Sequence, residues 1–131
     1  MRLIFAFDFD GTIVTDQYPT IGQMMEGARE TINRLYDEGH WIIIWTSRTG
    51  SMLSEAIDYL NSEGVKFHYV NESVPENVEK YKLDTRKIYA DRYIDDRCVG
   101  FVPDWKVIDN ELRSFIEMQE YEYNFLCQKI N

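Results

Sequence analysis

Two short apolar runs constrain this chain more than any other feature. Residues 3–7 read Leu-Ile-Phe-Ala-Phe and residues 41–45 read Trp-Ile-Ile-Ile-Trp, without a polar residue in either. A strand with one wet face alternates apolar and polar side chains. An unbroken run rich in β-branched and aromatic residues therefore predicts strands covered on both faces, as in a parallel sheet. Residues 65–70 and 89–94 read as weaker third and fourth strands.

Between the first two runs, Met25, Ala28, Ile32, Leu35 and Tyr36 recur at helical spacing and stop at Gly39, a residue suited to the left-handed position after a helix. Leu53, Ala56, Ile57 and Leu60 repeat the pattern before Gly64. Ser73-Val74-Pro75-Glu76 reads as a capping box opening a short helix toward Lys82. After Pro103, the residues Trp105, Ile108, Leu112, Phe115, Ile116, Tyr123 and Leu126 mark a long helix, its stripe expected to be core or dimer surface. Strand and helix alternate, so the expected class is α/β: a three-layer sandwich around a Rossmann-like parallel sheet with right-handed crossovers.

A chain of 131 residues with 44% hydrophobic side chains fits a single domain, residues 1–131, able to bury its own core. Asp plus Glu outnumber Lys plus Arg by 23 to 14, and the resulting charge of −9 repels polynucleotides and anionic lipid surfaces. Cys98 and Cys127 stand far apart, outside any zinc or disulfide spacing, which makes a reducing cytoplasm the default location. Asp8 and Asp10 interrupt the first apolar run too soon for a signal peptide or a membrane span.

In parallel α/β sheets, ligands bind beyond the carboxyl ends of the strands. Those positions are polar throughout: Asp8-Phe9-Asp10-Gly11-Thr12, Thr46-Ser47-Arg48, Asn71-Glu72-Ser73 and Asp95-Asp96-Arg97. Carboxylates crowded on one rim raise one another's pKa values unless a cation neutralises them. An oxygen-rich set of this kind suits Mg²⁺, which takes one or two carboxylates, several waters and a substrate phosphate. Alternation along an extended strand sends Asp8 and Asp10 to one side and Phe9 into the packing. His40 and His68 have no partner at ligand spacing and are read as structural; Asp91 is either a loop acid or a hydrogen-bonding group at a strand start.

Asp8-Phe9-Asp10-Gly11-Thr12 resembles the first motif of the haloacid dehalogenase superfamily of phosphohydrolases. Thr46 closing a hydrophobic strand is similar to the second motif, Lys87 to the third, and Asp95-Asp96 after Tyr93-Ile94 to the fourth, so the likeness runs over residues 3–97. The resemblance implies that Asp8 attacks phosphorus to form an aspartyl-phosphate, and that Asp10 protonates the leaving oxygen and then activates water. It implies Mg²⁺ held by the Asp8 side chain, the Asp10 backbone carbonyl and Asp96, with Asp95 supporting that ligand set from behind. Thr46 would hydrogen-bond a phosphoryl oxygen and Lys87 would offset negative charge, with Arg86 and Lys82 as close alternatives for that cation. Gly11, Thr12, Ser47 and Arg48 are the candidate substrate-binding positions. An acid at Asp10 favours phosphoryl chemistry over dehalogenation, and Phe9 after the nucleophile differs from the Lys of ion-pumping ATPases. Tyr93-Ile94-Asp95-Asp96-Arg97 is similar to the fourth motif of deoxyribonucleotidase-like members.

Many relatives carry a cap domain, but the stretches 15–44 and 51–82 are filled by helices and strands and leave no room for a further ~50 residues. The expectation is a capless phosphomonoester hydrolase with a short flap, about residues 15–22, above the metal. Its partner would be a small-molecule phosphate ester: a metabolite, a nucleotide or the end of a macromolecule. A site without a cap must exclude water through the substrate's bulk or a neighbouring subunit, so a homo-oligomer belongs to this reading. The rival class is a receiver-like signalling domain, which also gathers aspartates, Mg²⁺, Thr and Lys on a parallel sheet but holds its phosphate as a switch.

Overall fold

The computed structural model describes residues 1–130. Its four strands, β1 (Ile4–Phe7), β2 (Trp41–Ile44), β3 (Tyr69–Val70) and β4 (Arg92–Ile94), pair in the order β3-β2-β1-β4, all parallel. The helices are α1 (Ala28–Asp37), α2 (Gly50–Ser62), α3 (Pro75–Tyr81) and α4 (Trp105–Ile130).

Pleating divides the apolar runs between two cores. Phe5, Phe7, Ile42, Ile44 and Ile94 face a large core closed by Ala28, Ile32 and Leu35 of α1, Ala56 and Leu60 of α2, and Trp105, Ile108, Leu112 and Ile116 of α4. Ile4, Ala6 and Ile43 face a smaller one, closed by Val74, Ile88 and Ala90. Both faces of the inner strands are thus dry, which accounts for their lack of alternation. The second outer layer is thin, since α3 buries no residue of its own.

Two strands are shorter than their sequence patterns predict, for the same reason. The Ile42 N–H donates to the His68 ring Nδ1 at 3.0 Å, and the Ile4 N–H donates to Asp91 Oδ2 at 2.7 Å. In each case a side chain takes a donor that a neighbouring strand carbonyl would otherwise accept, while the His68 and Asp91 N–H groups still donate to the Ile42 and Ile4 carbonyls, and regular pairing begins just beyond them, at Tyr69 and Arg92. His40 acts likewise, its Nδ1 accepting from the Leu3 N–H at 3.1 Å. Both histidines are therefore structural, and Asp91 is the strand-start group.

The expected capping box is absent. Pro75, whose fixed φ and missing N–H suit a first helical position, starts α3, and Val74 becomes the cap with no side-chain hydrogen bond. Packing of α4 also stops short of the predicted stripe. Burial ends at Ile116, while Met118, Tyr121, Tyr123, Phe125 and Leu126 are exposed. No helix among the described residues is long and apolar enough to cross a membrane.

Candidate active site

At the carboxyl end of β1 the chain leaves the sheet through a tight turn. Phe9 is fully buried, and its carbonyl accepts hydrogen bonds from the N–H groups of Thr12, Ile13 and Val14 at 3.0–3.2 Å. Anchoring Phe9 leaves the flanking Asp8 and Asp10 on the opposite side, where both line a cleft of about 580 Å³. Thr46, Ser47 and Arg48 after β2, Asp95 and Arg97 after β4, and Asp16 and Tyr18 from the flap complete its walls.

Asp8, Asp95 and Asp96 each offer an oxygen within 4.8 Å of the others. Thr12 organises this cluster from below. Fully buried, its hydroxyl lies 3.2 Å from Asp8 Oδ2 and 3.3 Å from Asp96 Oδ1 as donor, and it accepts the Asp96 N–H at 3.0 Å. The Thr12 carbonyl in turn accepts from Trp105 Nε1 at 3.0 Å, which braces the turn against the first residue of α4. Gly11 is required here on two counts. Its φ is +84°, and a Cβ would stand 2.4 Å from Asp96 Oδ2.

Burial, a hydrogen bond shared with Asp96 and the nearby charge of Asp95 push the Asp8 carboxyl from 3.8 up to about 8. At neutral pH Asp8 would then hold a proton unless a cation stood beside it. A divalent cation among these oxygens would release it, and three hard carboxylate donors fit Mg²⁺ or a similar ion. Asp95 faces the cleft, whereas Asp96 is packed against Gly11 and Thr12.

Asp10 stands apart from the cluster, with its carboxylate gripped by Arg48. Nε donates to Oδ2 at 2.8 Å and Nη2 to Oδ1 at 2.7 Å. Arg48, expected at the substrate, is 1% exposed and directs its donors inward. Of the other expected substrate-binding positions, Ser47 lies open on the cleft wall, while Thr12 is buried beneath the acids and Gly11 is backbone packed against Asp96.

Thr46 lies on the cleft wall, its hydroxyl accepting the Arg48 N–H at 3.1 Å. Asn71 fixes it from behind, accepting the Thr46 N–H at 2.8 Å and donating to its carbonyl at 2.9 Å. The cation of the third motif is not brought to the acids. Lys87 is exposed, its Nζ 5.3 Å from the centre of the Tyr93 ring; Arg86 is exposed, and Lys82 pairs with Glu79. The sequence marks Asn71 only as one of the polar residues after the third strand, and Asp16 and Tyr18 only as members of the flap. The Asn71 φ of +54°, which Asn tolerates better than most residues, is a backbone property with no pattern of its own.

A parallel sheet with clustered carboxylates beyond its carboxyl edge defines an α/β protein whose acids stand close enough together to hold a cation. The chain belongs to the haloacid dehalogenase-like hydrolases, whose family model matches residues 5–97, and hydrolysis is the reaction class that membership assigns. A solved structure from Bacteroides thetaiotaomicron, described as a conserved protein coded by locus, is similar over 87% of this chain and 92% of that one, with 39% identity and a TM-score of 0.78. No curated protein matches the sequence.

Proposed function

We propose that the chain is a Mg²⁺-dependent phosphomonoester hydrolase acting through an aspartyl-phosphate on Asp8. The observation that carries this reading is the convergence of Asp8, Asp95 and Asp96 within 4.8 Å at a cleft that also presents Asp10. A cation held by Asp8 and Asp96, with the Asp10 carbonyl, would keep Asp8 ionised and neutralise a phosphoryl group beside it.

Asp8 Oδ attacks phosphorus, forming the P–O bond of a mixed anhydride as the ester P–O bond breaks. Asp10, when it carries a proton instead of standing as the carboxylate paired with Arg48, gives that proton to the departing alkoxide and then takes one from water, whose oxygen attacks the same phosphorus and restores Asp8. Thr46 and Ser47 offer hydroxyls to phosphoryl oxygens. The cleft, with only the flap above it, suits phosphorylated metabolites, nucleotides or the accessible end of a larger molecule.

The test is release of phosphate from an aryl phosphate with and without Mg²⁺, in the wild type, Asp8→Asn and Asp10→Asn. Multiple turnovers that need Mg²⁺ and disappear in both variants are expected. Full activity in Asp8→Asn overturns the assignment of the nucleophile, and stoichiometric labelling without turnover overturns hydrolysis in favour of a switch.

A further inference from the structure

Arg48 is a buried cation with an unusual set of partners. Besides the two bonds to Asp10, Nη2 donates to the Thr20 carbonyl at 3.0 Å, and Nη1 donates to the carbonyls of Pro19 at 3.0 Å and Met52 at 3.3 Å. A guanidinium has five N–H donors in a fixed plane, and all five are used within the protein. None remains for an incoming anion. The guanidinium carbon also lies 5.1 Å from the centre of the Tyr18 ring and 5.3 Å from that of Phe9, so flap and core pack against it from different directions.

We propose that Arg48 is a positioning residue that latches the flap, residues 15–22, to the Asp10 carboxylate, making the flap a fixed wall of the cleft rather than a moving lid. The flap is otherwise joined at its base, where the Thr15 N–H donates to the Gln23 carbonyl and the Gln23 N–H to Thr15 Oγ1, each at 2.9 Å. Its far side, at Pro19 and Thr20, has Arg48 as its link to α2 and to the acids. Three rigid bodies meet on one planar group: the turn after β1 through Asp10, the flap through two carbonyls, and α2 through Met52. A planar fork satisfies all three at once, and the point charge of lysine cannot. The orientation of Asp10 toward a leaving group and the place of Tyr18 on the cleft wall are then set together. The kinetic part of this inference rests on the phosphohydrolase reading, whereas the latch itself does not.

The experiment is hydrogen exchange of backbone amides on the full chain, comparing residues 15–22 with α1, in Arg48→Lys, Arg48→Met and Asp10→Asn, alongside kcat and KM for an aryl phosphate in the Arg48 variants. Flap exchange is expected to rise at least about tenfold in both Arg48 variants while α1 stays unchanged. Asp10→Asn, whose side-chain hydrogen bonds go to Arg48 and not to the flap, is expected to raise it about threefold by loosening the fork. In Arg48→Lys, kcat should fall at least about tenfold with KM altered less than about threefold. Unchanged flap exchange in Arg48→Lys and Asp10→Asn overturns the latch. A raised KM with kcat retained also overturns it, returning Arg48 to the substrate. Should both Arg48 variants fail to fold, Asp10→Asn decides alone. A wild type that turns over no phosphate ester sinks the phosphohydrolase reading, and the exchange data still decide the latch.

Discussion

The Thr12 hydroxyl joins two acids that lie 88 residues apart in the chain, approaching Asp8 at 3.2 Å and Asp96 at 3.3 Å while accepting the Asp96 N–H. A hydroxyl has a single proton, so it bridges both carboxylates only by sharing it. Thr12→Val keeps the shape and removes the bridge, leaving the Asp96 N–H without its partner. The expected cost is about 1–3 kcal/mol in urea unfolding. Loss of this support should also weaken Mg²⁺ binding about tenfold or more by calorimetric titration, with Thr12→Ser close to wild type.

Asp8 makes the metal-free protein sensitive to pH in a defined direction. Its carboxyl is raised from 3.8 to about 8 by burial, the bond to Asp96 and the charge of Asp95. The folded state therefore holds a proton that the unfolded state has lost. The corresponding stability is fully present below pH 3.8 and disappears as pH rises through about 8. In the presence of EDTA, wild-type stability should fall over this window relative to Asp8→Asn, which has no such proton to lose. Mg²⁺ should raise the melting temperature more at pH 8 than at pH 5, because protons compete for the same oxygens. Parallel wild-type and Asp8→Asn curves across that range would contradict the assignment.

Gly11→Ala introduces a methyl where Asp96 Oδ2 lies 2.4 Å away, on a backbone with φ of +84°. The left-handed conformation alone costs roughly 1–2 kcal/mol, and the carboxylate must also shift out of the cluster. Both destabilisation by urea and loss of the Mg²⁺-induced rise in melting temperature are expected. A variant that is merely less stable, with the metal response intact, would place Asp96 outside the ion's ligands.

The gathering of Asp8, Asp95 and Asp96 was legible because these acids stand at the carboxyl ends of strands marked out in the sequence, and a parallel sheet brings such positions to one edge whatever the intervening chain does. The two-sided burial of residues 3–7 and 41–45 was legible for a related reason, since a dry face leaves no polar alternation. Arg48 was not legible. An arginine beside a motif reads as an anion binder until the flap carbonyls are seen to converge on it, and backbone carbonyls have no signature in sequence. The shortened strands failed to show because His68 and Asp91 replace backbone partners with side chains, a substitution that periodicity does not register. Lys87 could be placed in motif order, but the exposed segment that carries it follows no strand pattern to say which way the side chain turns.

With the Arg48 donors committed inside the protein, Arg97 is the cleft-lining cation left to meet an anionic substrate. It is exposed on the rim, and its N–H, not its side chain, is what Asp95 holds, accepting it at 2.9 Å. A chain of charge −9 repels a phosphate ester on approach, so a local positive group acts mainly on encounter and ground-state binding. Arg97→Ala should therefore raise KM for an aryl phosphate by about three- to tenfold with kcat within about twofold. Because the interaction is exposed, the difference from wild type should shrink as ionic strength rises from about 0.01 to 1 M and the Debye length falls from about 30 to 3 Å. Steady-state kinetics across that salt range check both statements. A drop in kcat at saturating substrate would instead make Arg97 a group that contacts the phosphoryl oxygens as charge develops, and a KM effect that persists undiminished in high salt would mean that substrate binding buries it.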